Sequence, residues 1–134
     1  MKYMLLMSST KADFDWFAKW SKPDLQAHFA FMHAFNKELK DSGAFVAAEG
    51  LAFPDQAKIV RAGSDGTPIT GGVFPESREF LVGYWIVDVG SPEEAYRIAA
   101  RASAAPGPPH PTAKLPGIPI EVRQVMSGPP NELL

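Results

Sequence analysis

Three histidines and four carboxylates are the side chains of this 134-residue sequence best suited to proton exchange near neutral pH. His28 and His33 fall in one helical stretch, and His110 sits in a Pro-Pro-His-Pro segment that reads as a surface loop. Helical periodicity puts His28 inside the apolar stripe and His33 about 100° from its centre, at the border of core and solvent, where a cavity-lining acid or base would stand. The two are five residues apart, so their side chains diverge by about 140°, whereas helical metal-ligand pairs use spacings of three or four. No metal site is predicted. Glu49 closes an apolar run and points either into a cavity or toward Arg61 or Arg78. Glu76 and Glu79 flank Ser77-Arg78 and resemble the opening of a short turn. Asp88 follows a core strand and either orients His33 or introduces the Gly90-Ser91 turn.

Aromatic residues are abundant: Phe14, Trp16, Phe17, Trp20, Phe29, Phe74, Tyr84 and Trp85. Most belong to a core or to a subunit interface, and Trp16, Phe74 and Trp85, with Glu76, are the candidates for lining an apolar pocket that takes a ring-shaped metabolite. Other chemistries lack their signatures. Serine catalysis would need a Gly-x-Ser-x-Gly elbow, and Gly71-Gly72 has neither the spacing nor the lysine of a phosphate loop. No cofactor is expected. With no cysteine there is no disulfide, thiolate metal site or cysteine nucleophile. A formal charge of −2, with basic residues thinly spread, gives no electrostatic footprint for nucleic acid or for a membrane surface.

The elements that must position these side chains follow from local signals. Tyr3–Met7 is a short apolar run of strand length, too short for the apolar region of a signal peptide, and the cytoplasm is the expected compartment. Lys11–Trp20 fits either a short amphipathic turn or an aromatic loop. Ser21-Lys22-Pro23-Asp24 caps a helix whose stripe is Leu25, Phe29, Met32, Phe35 and Leu39, stopped at Gly43. Strands are expected at Phe45–Leu51, Lys58–Arg61, Thr67–Thr70, Phe80–Val89 and Ile118–Val125, with a hairpin turn at Gly63-Ser64-Asp65-Gly66. Ser91-Pro92-Glu93-Glu94 caps a second helix that ends before Pro106. Eight of the 13 prolines lie beyond Ala105, so an extended surface connection follows the helix. The order strand, helix, strands, hairpin, strand, helix, strand is that of an α+β fold with a ferredoxin-like antiparallel sheet and its helices on one face. One domain is expected over residues 1–126, followed by a tail at 127–134.

Met1-Lys2-Tyr3-Met4-Leu5-Leu6, His33, Glu49-Gly50-Leu51, Gly72-Val73-Phe74-Pro75-Glu76-Ser77-Arg78-Glu79, Gly83–Val89 and Ile120-Glu121-Val122-Arg123 resemble, in order and spacing, the YCII-related family and its DGPF subgroup. The resemblance implies a homodimeric α+β barrel, in which two ferredoxin-like subunits bring their sheets together. It also selects His33 over His28 as the acid or base, while Asp88 and Glu49 remain the candidate catalytic carboxylates from the residues themselves. The wider family includes a dehydrochlorinase of aromatic degradation, and some relatives are linked to transcription-initiation factors. Where the subgroup has Asp-Gly-Pro-Phe, this chain has Gly71-Gly72-Val73-Phe74, so an Asp that could polarise a ligand is absent. The expected function is therefore either isomerase or lyase chemistry on a small cyclic metabolite, or a non-catalytic ligand-binding or regulatory dimer.

Overall fold

The computed structural model describes residues 1–71 and 79–128. Six strands and three helices follow one another as β1 (Lys2–Ser9), α1 (Lys11–Phe17), α2 (Lys22–Asp41), β2 (Phe45–Gly50), β3 (Ile59–Ala62), β4 (Pro68–Gly71), β5 (Phe80–Asp88), α3 (Pro92–Ser103) and β6 (Ile120–Gln124). Four strands form an antiparallel sheet in the order β2-β5-β1-β6, and β3 and β4 pair only with each other. With α2 and α3 packed on one face, this is the ferredoxin-like α+β arrangement.

Local chemistry sets the helix boundaries. The Ser21 hydroxyl accepts the Asp24 N–H at 3.2 Å, and the Ser91 hydroxyl accepts the Glu94 N–H at 3.3 Å while the Glu94 carboxylate accepts the Gly90 N–H at 3.1 Å. Both ends satisfy amides that the first helical turn leaves unpaired. Gly43, with φ of +82°, turns the chain out of α2 where a Cβ would be strained. The ambiguous Lys11–Trp20 stretch resolves into α1, capped by the Thr10 hydroxyl on the Asp13 N–H at 3.1 Å, followed by a turn.

Strand periodicity divides the sheet into two unlike faces. Tyr3, Leu5 and Met7 lie opposite Val87, Trp85 and Gly83 and are buried under the helices. Their core partners are Phe35 and Leu39 from α2 and Ala95, Ala99 and Ala102 from α3. The three alanines of α3, spaced by four and three, let that helix settle close to the strands. The expected α2 stripe is shifted at one position. Phe29 is 52% exposed, while His28 takes the buried place in the stripe.

The opposite face carries Met4 and Leu6 from β1 and Tyr84 and Ile86 from β5, flanked by Ala47 and Glu49 on β2 and by Glu121 and Arg123 on β6. No helix covers it. Two irregularities keep the central strands in step: one between Met7 and Ser8, where Val82 is the extra residue of β5, and one between Phe45 and Ala47. At Gly83 the strands approach so closely that a Cβ would lie 2.7 Å from the Glu49 carbonyl oxygen.

The hairpin tip shows the expected turn chemistry. The Asp65 carboxylate accepts the Thr67 hydroxyl at 2.6 Å and the Thr67 N–H at 3.0 Å, and Gly66 adopts φ of +85°. Those two bonds, the hydroxyl first, hold the Asp65 carboxyl below its usual range. A lowered folded-state pKa stabilises the turn above the ordinary aspartate value, and that contribution disappears as pH falls through the lower folded value. Amide exchange at Gly66 and Thr67, corrected for intrinsic rate, should therefore accelerate below about pH 4, and Asp65→Ala should remove the pH dependence. For the core, Leu5→Ala should lower unfolding free energy by about 2–5 kcal/mol in urea titrations, because Leu5 is fully buried. A loss under about 1 kcal/mol would contradict its placement beneath the helices.

Candidate functional site

Each histidine occupies a distinct chemical setting. His28, 8% exposed, is enclosed by the rings of Phe17, Trp20 and Phe29, with centroids 5.5–5.9 Å away. Its Nδ1 lies 3.1 Å from the Pro106 carbonyl oxygen, which can only accept, so Nδ1 carries the proton. His110 is not a free loop residue. Its Nδ1 accepts the N–H groups of Thr112 at 3.1 Å and Ala113 at 2.8 Å, which leaves the proton on Nε2 to donate to Asp13 Oδ1 at 2.8 Å. The Trp16 ring packs edge-on against it at 4.8 Å. An aspartate–imidazole pair of this kind looks catalytic in isolation, but both ring nitrogens are already committed, so His110 has no free site for a substrate proton.

These two imidazoles fasten the proline-rich segment after α3 onto α1 and α2. Trp20 lies directly under Gly107, where a Cβ would overlap its indole ring, and the Trp20 indole N–H is buried with no acceptor among the described residues. Further along, Gly117, at φ of +81°, passes against Ser103, and the Ile118 N–H donates to the Ser103 carbonyl at 2.9 Å before β6 begins. The segment is extended, as its prolines require, yet it is anchored and not simply a surface run. Its anchoring histidine, His110, has no local sequence signal, since its carboxylate partner lies 97 residues away.

His33 stands on the exposed outer side of α2 and makes no hydrogen bond among the described residues. Asp88 accepts a hydrogen bond from the Met1 amino group at 3.0 Å, at one end of the sheet. Glu49 is exposed beside Tyr84 on the uncovered sheet face, with no ion pair among the described residues. Because α2 packs on the other face, His33 and Glu49 lie on opposite sides of the sheet–helix layer. No hydrogen bond among the described residues joins His33, Asp88 and Glu49.

Trp85 faces the helices, not the open side. It meets the edge of Phe35 at 5.6 Å and donates its indole N–H to Asn36 Oδ1 at 2.8 Å, so it is a core residue of this subunit, 6% exposed. Its strand neighbours Tyr84 and Ile86 face outward. Trp16 packs on Trp20 at 5.1 Å and on His110. Phe74 and Glu76 lie outside the described residues. Among those described, no three His, Asp or Glu side chains gather as a metal site would require.

A depression of about 560 Å³ opens between the end of α2 and the start of α3, lined in part by Ser42, Asp88, Glu94, Arg97 and Arg101. Arg101 is engaged with Glu38 and lies over the Phe35 ring at 5.3 Å. Two guanidiniums and two carboxylates share its wall, so it favours neither sign of ligand charge.

A ferredoxin-like sheet with one face that no described helix covers, two structural histidines and a third without a partner among the described residues defines a small α+β domain of a type that hosts many functions. The model of the YCII-related domain matches residues 1–106, and the chain belongs to that family. The match ends before β6, yet β6 pairs with β1 from Tyr3 to Met7, so the sheet reaches beyond the matched region. No curated protein matches the chain. No helix among the described residues is long and apolar enough to cross a membrane.

The roles assigned to His110 can be tested directly. His110→Ala should leave the sheet intact but release residues 106–117, raising their hydrogen-exchange rates and red-shifting tryptophan emission, at a stability cost of about 1–3 kcal/mol. Unchanged exchange there would mean that the segment is held without this imidazole.

Proposed function

We propose that this chain is a cytoplasmic homodimeric binding module for a small, ring-containing metabolite, and that it performs no acid–base catalysis through His33. The observation that carries this reading is the disposition of the histidines. Both nitrogens of His110 and the Nδ1 of buried His28 hold the proline-rich segment, and His33 faces solvent with no carboxylate among the described residues bonded to it. General acid–base work needs an imidazole within reach of both a substrate and an orienting group. Gly71 in place of the subgroup's Asp supports the same conclusion.

The dimer follows from the sheet. Met4, Leu6, Tyr84 and Ile86 form an apolar centre with charged side chains only toward the edges, and a second copy packing on this face would complete an α+β barrel. Ligand recognition would then fall to the space between the two sheets, with Tyr84 offering a ring and a hydroxyl, and Glu49 a carboxylate, to an oxygenated cyclic compound.

The test is a thermal-shift screen of cyclic, oxygenated metabolites on the wild type, His33→Ala and Tyr84→Ala, followed by product analysis for every binder. Binders should raise Tm equally in wild type and His33→Ala, lose most of the shift in Tyr84→Ala, and be recovered unchanged. Turnover abolished by His33→Ala would overturn the reading in favour of isomerase or lyase chemistry.

A further inference from the structure

The β3–β4 hairpin is an outlier in this fold. Its strands pair with each other and with no strand of the main sheet, and nearly all of its residues are exposed. Two-stranded ribbons are marginal in water unless a third strand or another surface packs on them. This one nevertheless presents Val60 at 59% and Ile69 at 58% exposure. The register pairs Ile59 with Gly71 and Arg61 with Ile69, so Ile59, Arg61 and Ile69 share one face of the ribbon. The exposed apolar side chains also continue into the main sheet: Leu51 and Phe53 lead into the hairpin, and Leu81 follows it, paired with Ser8 at the end of the sheet.

We propose that the hairpin is an arm that clasps a second copy of this chain, with its Ile59–Arg61–Ile69 face laid on the rim of the partner's sheet. This inference rests on the sheet-face dimer proposed above. Charge complementarity selects the occupant. Arg61 has no carboxylate partner among the described residues, and the rim it would meet carries Glu49 at its β2 edge, likewise without an ion pair among them, whereas at the β6 edge Glu121 is paired with Arg123 at 3.6 Å. An apolar ribbon face with one cation fits an apolar sheet face whose β2 edge presents the Glu49 carboxylate. Lys58 and Arg61, set against Asp65 at the tip, are too few for a nucleic acid or an anionic membrane. In the dimer the arm gains the packing surface that an isolated ribbon lacks.

Sedimentation equilibrium on the full chain tests the arm, with Ile69→Asp, Arg61→Glu and, as the sheet-face control, Ile86→Asp. Circular dichroism and cooperative unfolding verify that each variant is folded, and Arg61→Glu keeps the test valid if Ile69→Asp does not fold. The wild type should dimerise at micromolar concentration, with the dissociation constant rising at least tenfold in Ile69→Asp and several-fold in Arg61→Glu. Mixing Arg61→Glu chains with chains carrying Glu49→Arg should restore part of the affinity. If Ile69→Asp and Arg61→Glu dimerise as tightly as wild type while Ile86→Asp is monomeric, the arm is wrong and the sheet-face dimer stands. A wild type that stays monomeric at tens of micromolar overturns both.

Discussion

A four-stranded sheet has two faces, and two helices of the lengths found here cover only one of them. The consequences run through the molecule. Beneath α2 and α3, Leu5, Val87, Leu39 and the alanines of α3 exclude water almost completely. On the other side, Met4, Leu6, Tyr84 and Ile86 stand in the same two central strands, one residue out of phase, with no helix among the described residues over them. Both faces of β1 and β5 are apolar at their centres, as suits strands that the proposed dimer would cover twice. The proposed dimer, the location of the proposed ligand space and the clasping hairpin all derive from this geometry.

Histidine chemistry in this protein is governed by hydrogen-bond accounting more than by position in the sequence. An imidazole with one nitrogen on a carbonyl, or with both nitrogens occupied by two amides and a carboxylate, is a structural cross-link. His28 and His110 are used in this way, holding a proline-rich segment that can form few backbone ladders of its own. Such a segment needs side-chain anchors, and the aromatic rings of Trp16 and Trp20 supply the surface on which it lies. His33, by contrast, has no hydrogen-bond partner among the described residues.

Several readings from sequence agree with the structure and others do not, for identifiable reasons. Ser21 and Ser91 announce their helices because a cap and its amide are three residues apart, and the ferredoxin-like order follows from the succession of such local signals. His28, placed in the apolar stripe by helical periodicity, is indeed buried, while Phe29 in the same stripe is not, because the turn after α1 brings Phe17 and Trp20 against this end of the helix. Trp85 lies in a strand with bulk on both faces, so alternation alone leaves its side undecided. Its indole bond to Asn36, 49 residues earlier, fixes the side. His110 looks like a loop residue until Asp13 is brought to it.

By itself, then, the sequence determined where α2 and α3 begin and end, which runs are strands and where the hairpin turns, since capping, turn chemistry and periodicity act within a few residues. Only the tertiary structure decided which strand face is covered, which histidine nitrogens remain free and whether the candidate acids and bases meet. Those outcomes depend on bulges that reset strand phase near Val46 and Val82 and on bonds spanning 78 and 97 residues, and no local pattern encodes contacts of that range.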